Sequence, residues 1–204
     1  MQIGVLALQG DFAAHERALR ELGADVRQVR TADELGLVDG LIIPGGESTT
    51  ILKLLLEDGL AEPLKAFAGT RPIYGTCAGA ILAARVVSSP VQFSFGFIDI
   101  EIERNAYGRQ VDSSIRRLEP EQEFVDRTGP GKIEALFIRA PIIRKVGADV
   151  KILIQDEGVP VLVEQGLVLA GSFHPELTAD RRVHQLFLDK AAAAIQHSTH
   201  SGAV

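Results

Sequence analysis

The chain has 204 residues, 46% of them hydrophobic, a formal net charge of −6 and a single cysteine. This length suits one domain with a substantial core, and the acidic balance without clustered basic residues argues against nucleic-acid binding. The N-terminal residues lack the pattern of a signal peptide, and no apolar run approaches the roughly 20 residues that span a bilayer, so we expect a cytoplasmic protein with no membrane partner.

Apolar strand patterns alternate with helical patterns through the first half of the chain, an order typical of parallel βαβ units. We predict strands at residues 3–8, 26–29, 40–43 and 72–74, and helices at residues 12–22, 51–56, 61–68 and 80–84. Ser48, Thr49 and Thr50 are candidate N-caps for the helix at 51–56.

After Pro90 the pattern changes to alternating strands. We predict them at residues 97–102, 134–138, 150–154, 159–163 and 167–170, with hairpin turns at 156–158 and 165–166 and a last helix at 180–195. The expectation is a three-layer α/β domain over residues 1–196, with a mostly parallel central sheet flanked by helices and an antiparallel extension. Residues 197–204 are expected to form a disordered tail.

Cys77 lies in the segment GTCAG at residues 75–79, between a predicted strand and a predicted helix. Gly-x-nucleophile-x-Gly at such a junction is the pattern of a nucleophile elbow, here with a thiol. The glycines allow a strained, crowded backbone, and the following helix directs its positive end at the sulfur, which favours the thiolate. A lone cysteine can equally be a small buried residue, so Cys77 alone leaves both interpretations open.

A thiol nucleophile needs a general base, and His174 follows the last predicted strand. Functional groups of open α/β sheets collect at the carboxyl ends of strands, so Cys77 and His174 are expected at the same edge. Glu176 could orient the imidazole as the third member of a triad. The alternative is a simple turn before the last helix, with Glu176 placed there for the helix dipole.

Acyl transfer also needs donors for an oxyanion, and Gly45 and Gly46 follow the strand predicted at 40–43. Glycines let a backbone approach a substrate closely. Taken alone, two glycines before a helix indicate only a tight loop. They become candidates for oxyanion donors because they follow a strand of the predicted parallel sheet.

Three motifs together resemble the class I, triad-type glutamine amidotransferases over nearly the whole chain: PGGES at residues 44–48, GTCAG at 75–79 and SFHPE at 172–176. Three more are similar to the glutaminase subunits of pyridoxal 5'-phosphate synthase: GVLALQGD at 4–11, ERNAYGRQVDS at 103–113 and FIRAP at 137–141. The resemblance implies a class I glutamine amidotransferase-like, flavodoxin-like version of the α/β fold.

The resemblance also implies roles for individual residues. Cys77 would attack the side-chain amide of L-glutamine, with His174 and Glu176 completing the triad. The residues implied to line the glutamine and oxyanion site are Gly46, Glu47, Ser48, Arg104, Ile138 and Arg139. Without the resemblance, the two arginines would be taken for solvated strand charges.

The implied reaction forms a γ-glutamyl thioester with loss of ammonia and then hydrolyses it, and needs neither metal nor cofactor. In the family, ammonia passes to a (β/α)8-barrel synthase subunit in a hetero-oligomeric complex that makes pyridoxal 5'-phosphate. By family analogy, the loop at residues 9–11 and His15 meet that subunit or order the oxyanion loop. For His15, a solvated position on a helix face is the favoured alternative.

Two alternatives stay open. The chain could be the glutaminase of another biosynthetic amidotransferase, such as that of the imidazole glycerol phosphate pathway, or a non-catalytic regulatory or scaffold subunit that kept the fold. The motifs at 103–113 and 137–141 argue against the first, and the complete Cys77, His174 and Glu176 set argues against the second. Residues 86–97 depart from the family pattern, and core filling is the favoured role for Phe93, Phe95 and Phe97.

Overall fold

A computed structural model describes residues 1–104 and 113–201 of the chain. Most of the motif at 103–113 therefore lies outside the described residues. The first half contains β1 (Gln2–Leu6), α1 (Phe12–Glu21), β2 (Asp25–Val29), α2 (Ala32–Gly36), β3 (Gly40–Ile43), α3 (Ser48–Glu57), α4 (Ala61–Ala68), β4 (Ile73–Thr76) and α5 (Ala78–Ala83).

The second half is richer in strands. It contains β5 (Ala84–Ser88), β6 (Ile98–Glu103), β7 (Ser113–Leu118), α6 (Gln122–Thr128), β8 (Ile133–Ile138), β9 (Ile142–Val146), β10 (Lys151–Asp156), β11 (Val159–Gln165), β12 (Val168–Gly171), a 3₁₀ turn (Pro175–Leu177) and α7 (Arg182–Ser201). No helix in these described parts of the chain is long and apolar enough to cross a membrane.

The central sheet has seven strands in the order β10-β11-β12-β4-β3-β1-β2. Every pair from β12 to β2 is parallel, whereas β11 pairs antiparallel with both β10 and β12. This confirms the expected parallel sheet with an antiparallel extension. The carboxyl ends of β3, β4 and β12 lie side by side in the middle of the sheet, where the site will be built.

Alternation along the buried strands divides the core into layers on the two faces of the sheet. In β3, Ile42 packs into a cluster with α1 and α7, whereas Leu41 and Ile43 pack into a second cluster with α3 and α4. Successive side chains of a strand point to opposite faces, so a strand that is apolar throughout must be covered on both. The three-layer arrangement follows.

Two smaller sheets cover the region beyond α5. The first has the order β5-β6-β9 and the second pairs β7 with β8. The alternation predicted at 97–102 is confirmed in β6, whose isoleucines Ile98, Ile100 and Ile102 are buried while the acidic residues between them are partly exposed.

Some boundaries and elements differ from the sequence prediction. The helix α3 begins at Ser48 with Glu47 as its N-cap. Ala84, predicted as the end of a helix, begins β5, a strand that was not predicted. The prediction also missed α2, β7, α6 and β9. For α2 a signal was present, because Thr31 and Glu34 form a capping box.

The C-terminal helix is longer than predicted. It continues to Ser201 and so includes residues 197–201 that were assigned to the tail, while the rest of the tail, 202–204, lies outside the described residues. In the aromatic segment, Phe95 and Phe97 stack and pack against the second core cluster, as expected for core filling. Phe93 is exposed instead, with the Lys65 ammonium over its ring.

The junction of β4 and α5 is packed closely against neighbouring backbone. A Cβ added at Gly75 would lie 2.5 Å from the carbonyl oxygen of Gly79 and 2.8 Å from the amide nitrogen of Ala80. A Cβ added at Gly79 would overlap the backbone carbonyl of Ile43 in β3. Both glycines of the predicted elbow are therefore required by direct backbone contact.

We expect Gly79→Ala to lower the free energy of unfolding by about 3 kcal/mol, since the new methyl group meets backbone that cannot move aside cheaply. Urea denaturation monitored by circular dichroism measures the loss. Gly36→Ala is the control, because no atom lies within 4 Å of its added Cβ, and we expect that change to be neutral or to stabilise by about 0.5 kcal/mol. Equal stability of the two variants would contradict the crowding at the elbow.

Candidate active site

Cys77 lies between β4 and α5 as the N-cap residue of the helix, with φ +47° and ψ −101°. A positive φ in a residue with a side chain is strained and persists only where its surroundings impose it. Here the Cys77 N–H donates to the Gly171 carbonyl at 2.8 Å, and its own carbonyl accepts from Ile81 N–H. Cys77 is 7% exposed, so its thiol is mostly buried but reaches the surface of the site.

His174 arrives from the neighbouring strand. Because β12 is parallel to β4, with Gly171 opposite Thr76, the residues that follow both strands meet at one edge of the sheet. The His174 N–H donates to the Leu136 carbonyl of β8 at 2.8 Å, and its Nδ1–H donates to Glu176 Oε1 at 2.7 Å. The 3₁₀ turn after His174 places Glu176 behind the imidazole, 3% exposed.

Electrostatics favour a charged pair at this position. Burial by itself would lower the pKa of His174, but hydrogen bonds and charge interactions with Cys77 and Glu176 outweigh it and raise the pKa to about 10. Burial would raise the pKa of Glu176, but His15 and the hydrogen bond from His174 outweigh it, and the pKa is lowered. The imidazole can therefore hold a proton taken from the thiol.

A cavity of about 310 Å³ opens in front of Cys77 and His174. Of the residues that the sequence analysis assigned to the site, all except Gly45 and Glu176 line it: Gly46, Glu47, Ser48, Cys77, Arg104, Ile138, Arg139 and His174. Three further lining residues were not assigned, namely Gln9, Asp11 and Ile81. The volume is suited to a small metabolite rather than a polymer.

Opposite charges face each other on the cavity wall. Arg104 Nη2 lies 3.3 Å from Glu47 Oε1, and the Arg104 side chain is 12% exposed. The Glu47 carboxylate also accepts hydrogen bonds from Thr49 and Thr50 at the start of α3. Burial would raise the pKa of Glu47, but these hydrogen bonds outweigh it and lower the pKa to about 2. Both groups are charged at neutral pH.

Residues 138 and 139 reach the cavity from the end of β8. Ile138 is the last residue of that strand, and Arg139 directly after it has φ +44°. Arg139 is exposed, and a left-handed arginine is a costly conformation for a surface turn. Arg139 lines the cavity at the end of β8, the strand whose Leu136 carbonyl accepts from the His174 N–H.

The loop at residues 9–11 supports the glycine pair after β3. Asp11 N–H donates to the Gly45 carbonyl at 3.2 Å, and Glu47 N–H donates to Gln9 Oε1 at 2.8 Å. A Cβ on Gly45 would lie 3.1 Å from His174 Nδ1 and 3.3 Å from Cys77 Cβ. The absence of a side chain at Gly45 thus lets this loop approach both Cys77 and His174.

Behind Glu176 lies a buried polar cluster that the sequence analysis did not foresee. His15, expected to be solvated, is 0% exposed, which corrects that prediction. Its Nδ1 lies 3.0 Å from His184 Nε2 and its Nε2 lies 3.1 Å from Thr76 Oγ1. Burial lowers the pKa of His15 against the raising effect of Glu176, and burial together with His15 lowers the pKa of His184 to about 3.

No metal was expected at this site. The positions of the candidate ligand atoms can be compared with those that a metal ion needs. Among the described residues, Asp11, His174 and Glu176 bring three candidate ligand atoms within 4.8 Å of one another. The His174 and Glu176 atoms are already joined by a 2.7 Å hydrogen bond, and Asp11 is exposed. This set fits a hydrogen-bonded pair with a nearby carboxylate, and the expectation of no metal stays a prediction.

Comparison with protein families and curated proteins places the chain among known relatives. Residues 5–193 match the SNO glutamine amidotransferase family. The chain is 55% identical over 189 residues to pyridoxal 5'-phosphate synthase subunit PdxT of Solibacter usitatus, covering 93% of this chain and 98% of that one. It is 48% identical over 192 residues to the PdxT subunit of Thermus thermophilus, covering 93% and 97%.

Solved structures share the fold. A crystal structure of a glutamine amidotransferase aligns with a TM-score of 0.84 and 45% identity, covering 93% of this chain and 98% of that one. The structure of PurLQS from Thermotoga maritima aligns with a TM-score of 0.67 and 16% identity, covering 92% and 97%, and at that identity it speaks for the fold alone.

The buried histidines predict how stability depends on pH. The folded His184 resists protonation until about pH 3, whereas the unfolded residue takes up a proton near its ordinary pKa of 6.5. Stability is therefore fully present above pH 6.5 and is lost as the pH falls toward 3. We expect His184→Gln to reduce the loss of unfolding free energy between pH 7 and pH 5 by about 2 kcal/mol.

Urea denaturation at the two pH values measures this effect. His197→Gln is the matched control, since His197 is an exposed residue of the same helix α7. The control should keep the pH dependence of the wild type, and His15 should leave some of that dependence in His184→Gln as well. An unaltered pH dependence in His184→Gln would contradict the assigned burial of its neutral form.

Proposed function

This chain belongs to the SNO glutamine amidotransferase family, and from that we propose that it hydrolyses L-glutamine to L-glutamate and ammonia as the glutaminase subunit of a pyridoxal 5'-phosphate synthase. The names and the near-complete overlap of the PdxT relatives support the assignment. The observation that carries it is the cavity itself, where Cys77 and His174 face a small space whose wall also holds Arg104 and Glu47.

The proposed chemistry has two halves. His174 accepts the thiol proton, and Cys77 Sγ attacks the side-chain amide carbon of glutamine. The tetrahedral adduct collapses when His174 donates that proton to the departing nitrogen, which leaves as ammonia and yields a γ-glutamyl thioester. His174 then takes a proton from water as the water attacks the thioester, and it returns the proton to sulfur as glutamate leaves. Glu176 stabilises the imidazolium throughout.

The adduct carries a negative oxygen that needs donors. The first N–H groups of a helix have no intrahelical acceptor, so the Ala78 N–H at the start of α5 suits this role. Gly46 lies across the cavity in the loop that approaches Cys77, and we assign its N–H to the same oxygen. The Glu47 N–H is engaged by Gln9, so it is not free for this purpose.

Free glutamine brings a carboxylate and an ammonium, and the cavity wall offers a partner for each. We assign Arg104 and Arg139 to the α-carboxylate, because a guanidinium forms charge-assisted hydrogen bonds to it. Glu47 is the matching acceptor for the α-ammonium. Ser48 and Ile138 complete the wall of the glutamine site. A peptide-bound glutamine lacks both charges and would bind poorly.

The product ammonia has a destination in the proposed complex. We propose that the chain docks on a (β/α)8-barrel synthase subunit in a hetero-oligomer, in the cytoplasm, and that ammonia passes to that subunit for vitamin B6 biosynthesis. The PdxT relatives are named as subunits of such a synthase. Pyridoxal 5'-phosphate is then a product of the complex and not a cofactor of this chain.

The decisive experiment mixes the chain with the synthase subunit from the same organism, glutamine, a pentose phosphate and a triose phosphate. We expect glutamate and pyridoxal 5'-phosphate to form together. The absorbance of pyridoxal 5'-phosphate measures its formation. Glutamate formation only with a different acceptor enzyme, such as the imidazole glycerol phosphate synthase partner, would overturn the pathway. No glutamate with any acceptor would indicate a scaffold subunit.

Cys77→Ala should lower glutaminase activity in the complex by at least about a thousandfold, because the thioester cannot form. Docking should persist, since the substitution removes only a sulfur atom from a residue at the cavity surface. A coupled glutamate assay measures the activity, and size-exclusion chromatography measures the docking. With ammonium salts in place of glutamine, pyridoxal 5'-phosphate should still form. Hydrolysis retained by a folded variant would refute Cys77 as nucleophile.

Arg104→Gln should raise the KM for glutamine by about tenfold or more with a smaller effect on kcat, because a charge-assisted contact to the α-carboxylate is lost. Steady-state kinetics of the complex measure both constants. Arg144→Gln is the matched control: Arg144 pairs with Glu103 across the strands β9 and β6, and neither residue lines the cavity. Equal KM values for the two variants would remove Arg104 from the glutamine site.

A further inference from the structure

Only one oxygen of the Glu176 carboxylate is hydrogen-bonded to His174, the residue that Glu176 serves in the triad. Oε1 accepts from His174, but Oε2 is buried and has no hydrogen-bond partner among the described residues. A buried carboxylate oxygen without a donor is costly, and the charge of Glu176 must nevertheless be held in place if it is to orient His174. The atom facing Oε2 is Nε2 of His15, at 3.5 Å.

We propose that His15 is a positioning residue for the active site, neutral and protonated on Nε2, with this N–H shared between Thr76 Oγ1 and the side of Glu176 that His174 leaves open. The proposal rests on the proposed function, since it assumes that Glu176 serves His174. His15 lies on α1, far along the chain from the residues it would position, and only the fold brings it there. Both side chains are completely shielded, at 0% exposure.

The neighbours of His15 decide its tautomer. If Nδ1 carried the proton, the lone pair of Nε2 would face the negative Oε2 atom, which is the unfavourable arrangement. With the proton on Nε2, Nδ1 must accept a hydrogen bond, and His184 Nε2 lies 3.0 Å from it. We therefore assign His184 as the donor, through its own Nε2–H. The Nδ1 atom of His184 is buried without a partner among the described residues.

The same histidine also reaches the nucleophile's segment. His15 Nε2 lies 3.1 Å from Thr76 Oγ1, and Thr76 directly precedes Cys77. One imidazole thus contacts the residue before the nucleophile and the carboxylate behind the base. The relay that we infer runs from His184 to His15, then to Glu176, His174 and Cys77. Residues that act through others in this way fix geometry and do not touch the substrate.

Two matched variants distinguish the effect of the His15 Nε2–H donor from the effect of the volume of the imidazole ring. The amide of glutamine reaches about as far as Nε2 of histidine, whereas that of asparagine reaches only as far as Nδ1. His15→Gln can therefore keep a donor beside Glu176, while His15→Asn can keep only the contact with His184. In the complex with the synthase subunit, we expect His15→Gln to retain kcat within about threefold and His15→Asn to lose about tenfold or more, with KM little changed in both.

The pH dependence of kcat/KM distinguishes the proposed role of His15 from simple packing, which would leave this dependence unchanged. A donor beside Glu176 favours its charged form, so His15→Asn should raise the pKa of the carboxyl and shift the acid limb of kcat/KM to higher pH. The titratable groups facing His15 and Glu176 from the surrounding elements are unchanged in both variants: Asp11, Tyr74, Cys77, His174 and His184. Equal losses in both variants with an unshifted profile would overturn the proposal, as would full activity in His15→Asn.

Nitrogen-15 NMR of histidine-labelled wild-type protein tests the tautomer without any enzymatic assay. We expect His15 and His184 each to be neutral and protonated on Nε2, with their signals assigned by through-bond correlation to the backbone. A proton on Nδ1 of His15, or a charged ring at pH 7, would refute the proposal even if every variant failed to fold. Failure of the proposed function has a different signature, because Cys77→Ala would then keep its glutaminase activity or the wild type would have none.

Discussion

The close contact between the α5 backbone and strands β3 and β4 is the constraint on which the site depends. Gly79 rests on the carbonyl of Ile43 and Gly75 rests on Gly79, so the chain must turn sharply at Cys77 and adopt a positive φ there. The same compactness allows β12 to pair with β4 in register, and the pairing delivers His174 to the nucleophile. A side chain at either glycine would displace α5 and change the position of Cys77 relative to His174.

Much of this could be predicted from the sequence because the signals are local. Apolar runs, the glycines around Cys77 and the position of His174 after a strand are all contained in short segments, and parallel strands bring their carboxyl ends together. The parallel sheet, its antiparallel extension and the family are confirmed. The cavity also gathers the assigned residues Arg104 and Arg139, although their roles remain predictions, since a strand arginine alone carries no sign of its ligand.

The parts that could not be predicted depend on distant partners. His15 of α1 is buried because it contacts His184 of α7, 169 positions later in the chain. From the sequence of α1 alone, a polar residue at this position is expected to be exposed to solvent. Strand β7 has the sequence SSIRRL and exposes its isoleucine, which leaves no apolar alternation to detect. Gln9 and Asp11 line the cavity because their loop folds back onto the glycine pair after β3, a contact that only the family analogy for residues 9–11 suggested.

The ion pair of Arg104 and Glu47 has a consequence for the energetics of ligand entry. Each of these charges already has a partner, so in the proposed function an arriving zwitterion replaces one ion pair with two new ones instead of meeting bare charges. The exchange is electroneutral, and the affinity should accordingly be insensitive to ionic strength. In the proposed function, the pair therefore favours molecules that carry both charges before any reaction begins.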